Sequence, residues 1–145
     1  MSALSKRVFY AIEAVLYIAY NGVSERVSSK EISGKQGMPP RYLEQMMQKL
    51  VHAGVLRGIR GPNGGYLLAR EKRRITLADI AKAIGEDEEI PSSTTLGNHI
   101  IVPVINKFHE ALKQQLSETT IADLCEQANR KNIRKTSEEH TNFNI

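Results

Sequence analysis

Between positions 40 and 52 the chain places Arg41, Glu44, Gln45, Gln48, Lys49 and His52 at helical spacing. On a helix they share one side with Tyr42 at the border, while Leu43, Met46, Met47 and Leu50 fall on the other. Guanidinium, carboxamide, carboxylate and ammonium groups in such a row can hydrogen-bond to base edges and to phosphates. The solvated face of any amphipathic helix has a similar composition. The flanking segments decide between the two.

Residues 55–60 read as a strand carrying Arg57 and Arg60, and residues 66–70 as its returning partner. Between them Gly61-Pro62-Asn63-Gly64-Gly65 is a turn, with Asn63-Gly64 a strong hairpin signal. Three glycines and a proline keep the tip thin, so both arginines can approach a backbone or a minor groove. The same glycines lack the dinucleotide fingerprint and the Gly-Lys-Ser/Thr ending of a nucleotide cradle. They also lie within a hairpin rather than between strand and helix. A nucleotide-binding enzyme is therefore not expected. Nor are there paired carboxylates with a plausible cleft, or a nucleophile beside a base.

Sulfur and imidazole chemistry is sparse. The chain has one cysteine, Cys125, which cannot form an internal disulfide or by itself hold zinc or an iron–sulfur cluster. Ile121, Leu124, Cys125 and Ala128 share a helical face, so the thiol reads as a small buried hydrophobe. Asp123 and Glu126 beside it disfavour a thiolate. His99 is a lone imidazole in a polar segment.

The elements that position these groups follow from local signals. Residues 5–20 have a helical period, with Val8, Ile12, Val15, Leu16 and Ala19 on one stripe, Ala11 and Ile18 flanking it, and Tyr10 and Tyr17 opposite. The tyrosines suit a second packing partner, such as a later helix or another subunit. After Asn21-Gly22, Ser28 with Glu31 three positions on predicts a capping box and a short helix that stops before Gly37. Pro39 and Pro40 open the next helix, and Gly54 closes it. A further short helix is expected after Thr76, ending at Gly85.

Residues 86–98 are acidic and then Ser/Thr-rich, which predicts a loop. A longer helix follows with Pro103 in its first turn. On it Ile101, Ile105, Phe108, Leu112 and Leu116 form a narrow stripe suited to a dimer mate, or to packing within the monomer. A last helix covers residues 121–129, and residues 130–145 read as a polar tail. The expected division is a winged helix-turn-helix unit over residues 1–84, a loop over 85–99, a dimerisation helix with a packing helix over 100–129, and the tail. The fold class is mainly α with a small β-hairpin wing.

The chain has 145 residues, 41% of them hydrophobic and 25% charged, with no Trp. Its length is near the mode for one domain. No apolar run approaches the roughly 20 residues of a membrane span, and no signal peptide is visible, so a cytoplasmic protein is expected. Residues 1–74 hold 13 Lys or Arg against 5 acids, a balance of +8, whereas residues 75–145 hold 7 against 11, a balance of −4. A basic front half suits a polyanionic partner.

Taken together, Lys6-Arg7 with Tyr10-Ala11, Lys30-Glu31-Ile32, Tyr42-Leu43-Glu44-Gln45, Leu50 with Gly54, and the run from Arg60 to Leu68 resemble the Rrf-two family of bacterial winged-helix transcriptional regulators. Thr76-Leu77-Ala78-Asp79-Ile80 and Thr120-Ile121-Ala122-Asp123-Leu124 fit its later helices. The likeness spans roughly residues 3 to 128.

The resemblance implies a homodimer on a partly palindromic duplex DNA operator, with a recognition helix in the major groove and a wing arginine in the minor groove. Carried onto this sequence, Tyr42, Glu44 and Gln45 take the recognition-helix positions, Arg60 that of the wing arginine, and Ser28 a phosphate-facing helix start. Lys6, Lys30, Pro40, Arg41, Lys49, Arg57, Asn63 and Gly64 complete the expected DNA-facing set. Cluster-binding members carry three cysteines before the long helix. Here residues 91–99 carry none, so no iron–sulfur cofactor is expected and the effector, a small molecule or a partner protein, stays open. The expected function is a DNA-binding regulator, a repressor, without a cluster. The alternatives are a winged-helix module that binds proteins, and a cluster- or thiol-based redox sensor using Cys125.

Overall fold

The computed structural model describes residues 4–22, 26–85 and 92–136. Three helices come first: α1 (Lys6–Asn21), α2 (Ser29–Gln36) and α3 (Pro40–His52). A hairpin follows, β1 (Leu56–Ile59) and β2 (Gly65–Leu68), then a 3-10 turn (Lys72–Arg74) and α4 (Leu77–Ile84). The chain ends with α5 (Val102–Glu118) and α6 (Ile121–Arg130).

Local chemistry fixes most helix ends. Ser5, Ser28, Thr76 and Thr120 each accept an amide hydrogen bond at the start of α1, α2, α4 and α6. Gly37 and Gly85 close α2 and α4 in the left-handed conformation, at φ 65° and 78°. In α4 and α6 both halves of a capping box are made, Thr76 with Asp79 and Thr120 with Asp123. These two starts clasp each other. Leu77 N–H donates to Thr119 O and Ile121 N–H to Ile75 O, both at 2.9 Å.

The core is built around α1, which is contacted by α4, α6 and β2. Its buried face comprises Val8, Ala11, Ala14, Val15, Ile18, Ala19 and Tyr20. Ile12 and Leu16, central in the periodicity, sit at its half-buried edge instead. The cause is geometric: elements on several sides of α1 widen the covered arc and centre it on the alanines, which allow close approach. In α3 the buried residues are Leu43, Met46, Met47 and Leu50, as the wheel predicts. Ile121 and Cys125 of α6 join the same core.

Two expectations need correction. The long helix begins earlier than its composition suggests: Thr95 and Leu96 are already helical, and Gly97–Ile101 forms a π-turn leading into α5. Thr94 supplies the start, its Oγ1 accepting from Gly97 N–H at 2.9 Å. Pro103 therefore lies inside a continuous helical run. Proline has no N–H to donate and its ring crowds the carbonyl four residues back, and the wider π-turn before it accommodates both effects. Residues 86–91 of the expected loop lie outside the described residues.

The expected tail, for its part, is docked as far as Thr136. Thr136 N–H donates to Asn21 Oδ1 at 2.7 Å, and Tyr20 OH donates to Asn129 Oδ1 at 3.2 Å and to Ile133 O. Residues 137–145 lie outside the described residues. No described helix is long and apolar enough to cross a membrane.

Candidate nucleic-acid interface

Arg41, Glu44, Gln45, Gln48, Lys49 and His52 are all exposed on α3, and Tyr42 is half-buried. Pro40 is exposed at the start of the helix. Arg41, Glu44 and Gln45 are thus presented together on one polar face. Lys49 is exposed but not unattached: its Nζ donates to Ile84 O, at the carbonyl end of α4, at 3.4 Å. An open groove of about 920 Å³ separates α3 from α4, with Lys49, His52, Arg70 and Lys82 on its walls. Arg70 is 3.6 Å from Asp79 across it.

The hairpin stands beside this face. Leu56 pairs with Leu68, Arg57 with Leu67, Gly58 with Tyr66 and Ile59 with Gly65, antiparallel. Residues 60–64 make the loop, centred on Pro62 and Asn63, with Gly64 N–H donating to Gly61 O at 2.8 Å. Asn63-Gly64 is therefore not a two-residue hairpin turn. Proline fixes the φ of the first central position, and that sets the loop. Arg57, Arg60 and Asn63 are exposed, and Gly64 is half-buried because its backbone passes close to Ile59 and Gly61.

Glycine is needed at Gly65 for a different reason. A Cβ there would lie 2.7 Å from Val27 O. Val27 forms a bridge with Tyr66, donating to Tyr66 O at 3.0 Å and accepting from Tyr66 N–H at 2.8 Å. This ties the hairpin base to the residues just before α2. Tyr66 sits near Glu44 as well: burial pushes its phenol up, and the Glu44 carboxylate adds to the effect.

The other expected contacts are split. Ser28 caps α2, with Oγ accepting from Glu31 N–H at 3.1 Å, and Lys30 is exposed as the second residue of the helix. Lys6 turns toward Tyr10, its Nζ 5.6 Å from the ring centroid. Arg7 reaches α3 instead, with its guanidinium 6.0 Å from the Tyr42 ring. Of the Lys6-Arg7 pair, Arg7 is thus the one brought against α3. Tyr66 carried no signal beyond its place in the returning strand.

The α5 stripe is only partly covered. Phe108 is 64% exposed and Ile101 55%, Ile105 and Leu112 are half-buried, and Leu116 is buried within the protomer. Leu96, Ile100 and Val104 extend the same apolar run on the preceding turns.

Metal chemistry has little to build on. Cys125 is buried on α6, and burial pushes its thiol up; Lys72 and Lys135 pull it the other way by less. The nearby charges are thus cationic, contrary to what Asp123 and Glu126 suggest, but desolvation decides. His99 is exposed in the π-turn. No group of three or more His, Cys, Asp or Glu among the described residues is placed to hold a metal ion. These residues do not fit a thiolate-held cluster.

A model of the Rrf2 family, described as an iron-dependent transcriptional regulator, matches residues 4–127. The chain is 30% identical over 132 residues to Protein rrf2 of Nitratidesulfovibrio vulgaris, covering 86% of this chain and 88% of that one. It is 31% identical over 147 residues to a protein of Haemophilus influenzae named as an HTH-type transcriptional regulator, covering 97% and 95%. Among solved structures, T. potens IscR superposes with a TM-score of 0.74 at 28% identity, over 93% of this chain and 94% of that one. CymR of B. subtilis, titled a global cysteine regulator, gives 0.69 at 27%, over 88% and 98%. These relatives are regulators rather than enzymes, and their winged-helix fold is the one described above. The chain belongs to the Rrf2 family of transcriptional regulators.

Proposed function

We propose that the chain acts as a homodimer that binds a specific duplex DNA operator and represses transcription, without an iron–sulfur cluster. The observation that carries this reading is the polar face of α3, exposed beside a hairpin that presents Arg57 and Arg60. Such a helix fits the major groove, and such a hairpin reaches the backbone or the minor groove. A protein-binding winged helix would show an apolar patch on this face. Here the apolar patch lies on α5, where it suits a second copy of the chain and a two-fold operator. A dimer seated on a promoter represses by excluding polymerase.

The cluster-free part rests on the donor set: the single cysteine, Cys125, is buried and no thiolate stands near His99 to begin a thiolate cage. Titration against a genomic fragment library, with iron measured on anaerobically purified protein, tests both parts. The expected result is a colourless dimer whose operator affinity falls by orders of magnitude between low and physiological salt, as several phosphate contacts require. Salt-insensitive or undetectable binding removes the DNA reading. Stoichiometric iron with visible charge-transfer bands removes the cluster-free one. A reporter whose promoter overlaps the operator tests the sense of regulation.

A further inference from the structure

Three helices begin with a Ser or Thr cap and an acidic residue three positions on, and they do not end alike. At α4 and α6 the carboxylate folds back to accept the cap's own N–H, from Thr76 to Asp79 at 3.0 Å and from Thr120 to Asp123 at 2.8 Å. At α2 only the first half is made: Ser28 Oγ accepts from Glu31 N–H, but the Glu31 carboxylate accepts from Tyr17 OH at 2.7 Å. Tyr17 is half-buried on α1, fourteen positions away. Its hydroxyl oxygen is also 3.2 Å from Thr136 Oγ1, and Thr136 is anchored on Asn21 through both its N–H and its hydroxyl, at 2.7 and 3.0 Å. The segment after α6 therefore packs against the tyrosine that holds the carboxylate.

We propose that Tyr17 is a positioning residue of the DNA-binding face, its hydroxyl drawing the Glu31 carboxylate away from the start of α2. A carboxylate closed back on Ser28 occupies a helix-start amide and sets a negative charge where a phosphate approaches. Drawn aside, it leaves the Ser28 amide to the DNA backbone. The consequence for DNA rests on the function proposed above; the local geometry does not.

Two measurements on the full chain test this. In the free protein, Tyr17→Phe lets Glu31 complete the capping box, so the Ser28 amide should exchange more slowly and shift downfield in nitrogen-correlated NMR spectra. An unchanged Ser28 amide overturns the proposal. On DNA, Tyr17→Phe should weaken operator binding by roughly threefold to tenfold, the scale of one charge at a helix start. Adding Glu31→Ala should restore binding to within about twofold of the parent, because the competing carboxylate is gone. A tyrosine that merely supported the fold would give a loss that Glu31→Ala does not repair, and that result overturns the proposal. So does unaltered binding by Tyr17→Phe. If the parent protein binds no DNA, the proposed function fails, and the amide measurement still judges the role of Tyr17.

Discussion

Replacing Gly65 with alanine should damage the protein more than any other single methyl added to the hairpin strands. The new Cβ would lie 2.7 Å from Val27 O, 2.9 Å from Val27 C and 3.2 Å from Ser28 N, all backbone atoms. Relief requires Val27 to retreat from Tyr66, which lengthens hydrogen bonds now at 2.8 and 3.0 Å. Overpacking of this kind costs about 1–3 kcal/mol, and each weakened bond adds up to about 1 kcal/mol. The sum, about 1–5 kcal/mol, corresponds to a fall in Tm of roughly 3–20 °C for a chain of this size.

The companion variant is Gly58→Ala on the facing strand, where the added Cβ meets only Tyr66 Cε1 at 3.8 Å, an ordinary contact. It should change stability by less than about 0.5 kcal/mol. Thermal unfolding of both variants by circular dichroism decides the matter. If Gly65→Ala melts within about 2 °C of the parent, or Gly58→Ala proves equally harmful, then the Val27–Tyr66 bridge does not constrain the hairpin base.

Arg60→Ala should cost specific binding roughly 1–3 kcal/mol in a gel-shift titration on the best operator, since alanine replaces none of a groove-bound guanidinium's contacts. Unchanged affinity would take the wing out of the interface. Phe108→Glu, placed on the exposed part of the α5 stripe, should convert the proposed dimer to a folded monomer in sedimentation experiments, because it buries a charge in an apolar contact. A persisting dimer would locate the contact elsewhere. Burial raises Cys125 above its ordinary value of 9.0, so the folded chain holds that proton more tightly than the unfolded one. Stability should therefore fall as pH rises past about 9, and Cys125→Ala should flatten that decline in urea titrations. Native alkylation of Cys125 should also be much slower than that of a free thiol, and rapid labelling at neutral pH would contradict its burial.

What the sequence made legible was local. Ser28, Gly37, Pro40, Thr76 and Gly85 mark helix ends by their own chemistry, and the structure places the ends there. The buried quartet of α3 follows from period alone. Less legible was the start of the long helix: Gly97 and Pro103 both argue against helix by propensity, and the Thr94 cap and the π-turn that override them leave no periodic trace. Asn63-Gly64 located the turn but not its centre, because Pro62 governs the loop geometry. The docking of Thr136 on α1 was invisible for a different reason. It is made by hydrogen bonds between residues more than a hundred positions apart, and hydrophobic patterning does not report those. For the site, the exposed row on α3 and the wing arginines were readable, whereas Arg7 over Tyr42 and Tyr66 near Glu44 depend on tertiary approach.

The return of α6 to α1 bears on how the chain is made. Ile121 and Cys125 complete the core that Val8, Val15 and Ile18 begin, and Tyr20 is bonded to Asn129. A ribosome delivers the N-terminal helices well before α6, at several residues per second, so during synthesis the half of the molecule with the basic surface waits with one side of its first helix bare. An excised fragment ending at Gly85 would stay in that unfinished condition, and should bind apolar dyes and aggregate more readily than the whole chain. The surface that faces DNA would then be fully supported only once α6 has emerged, and a product truncated before α6 should hold an operator less well than the whole chain.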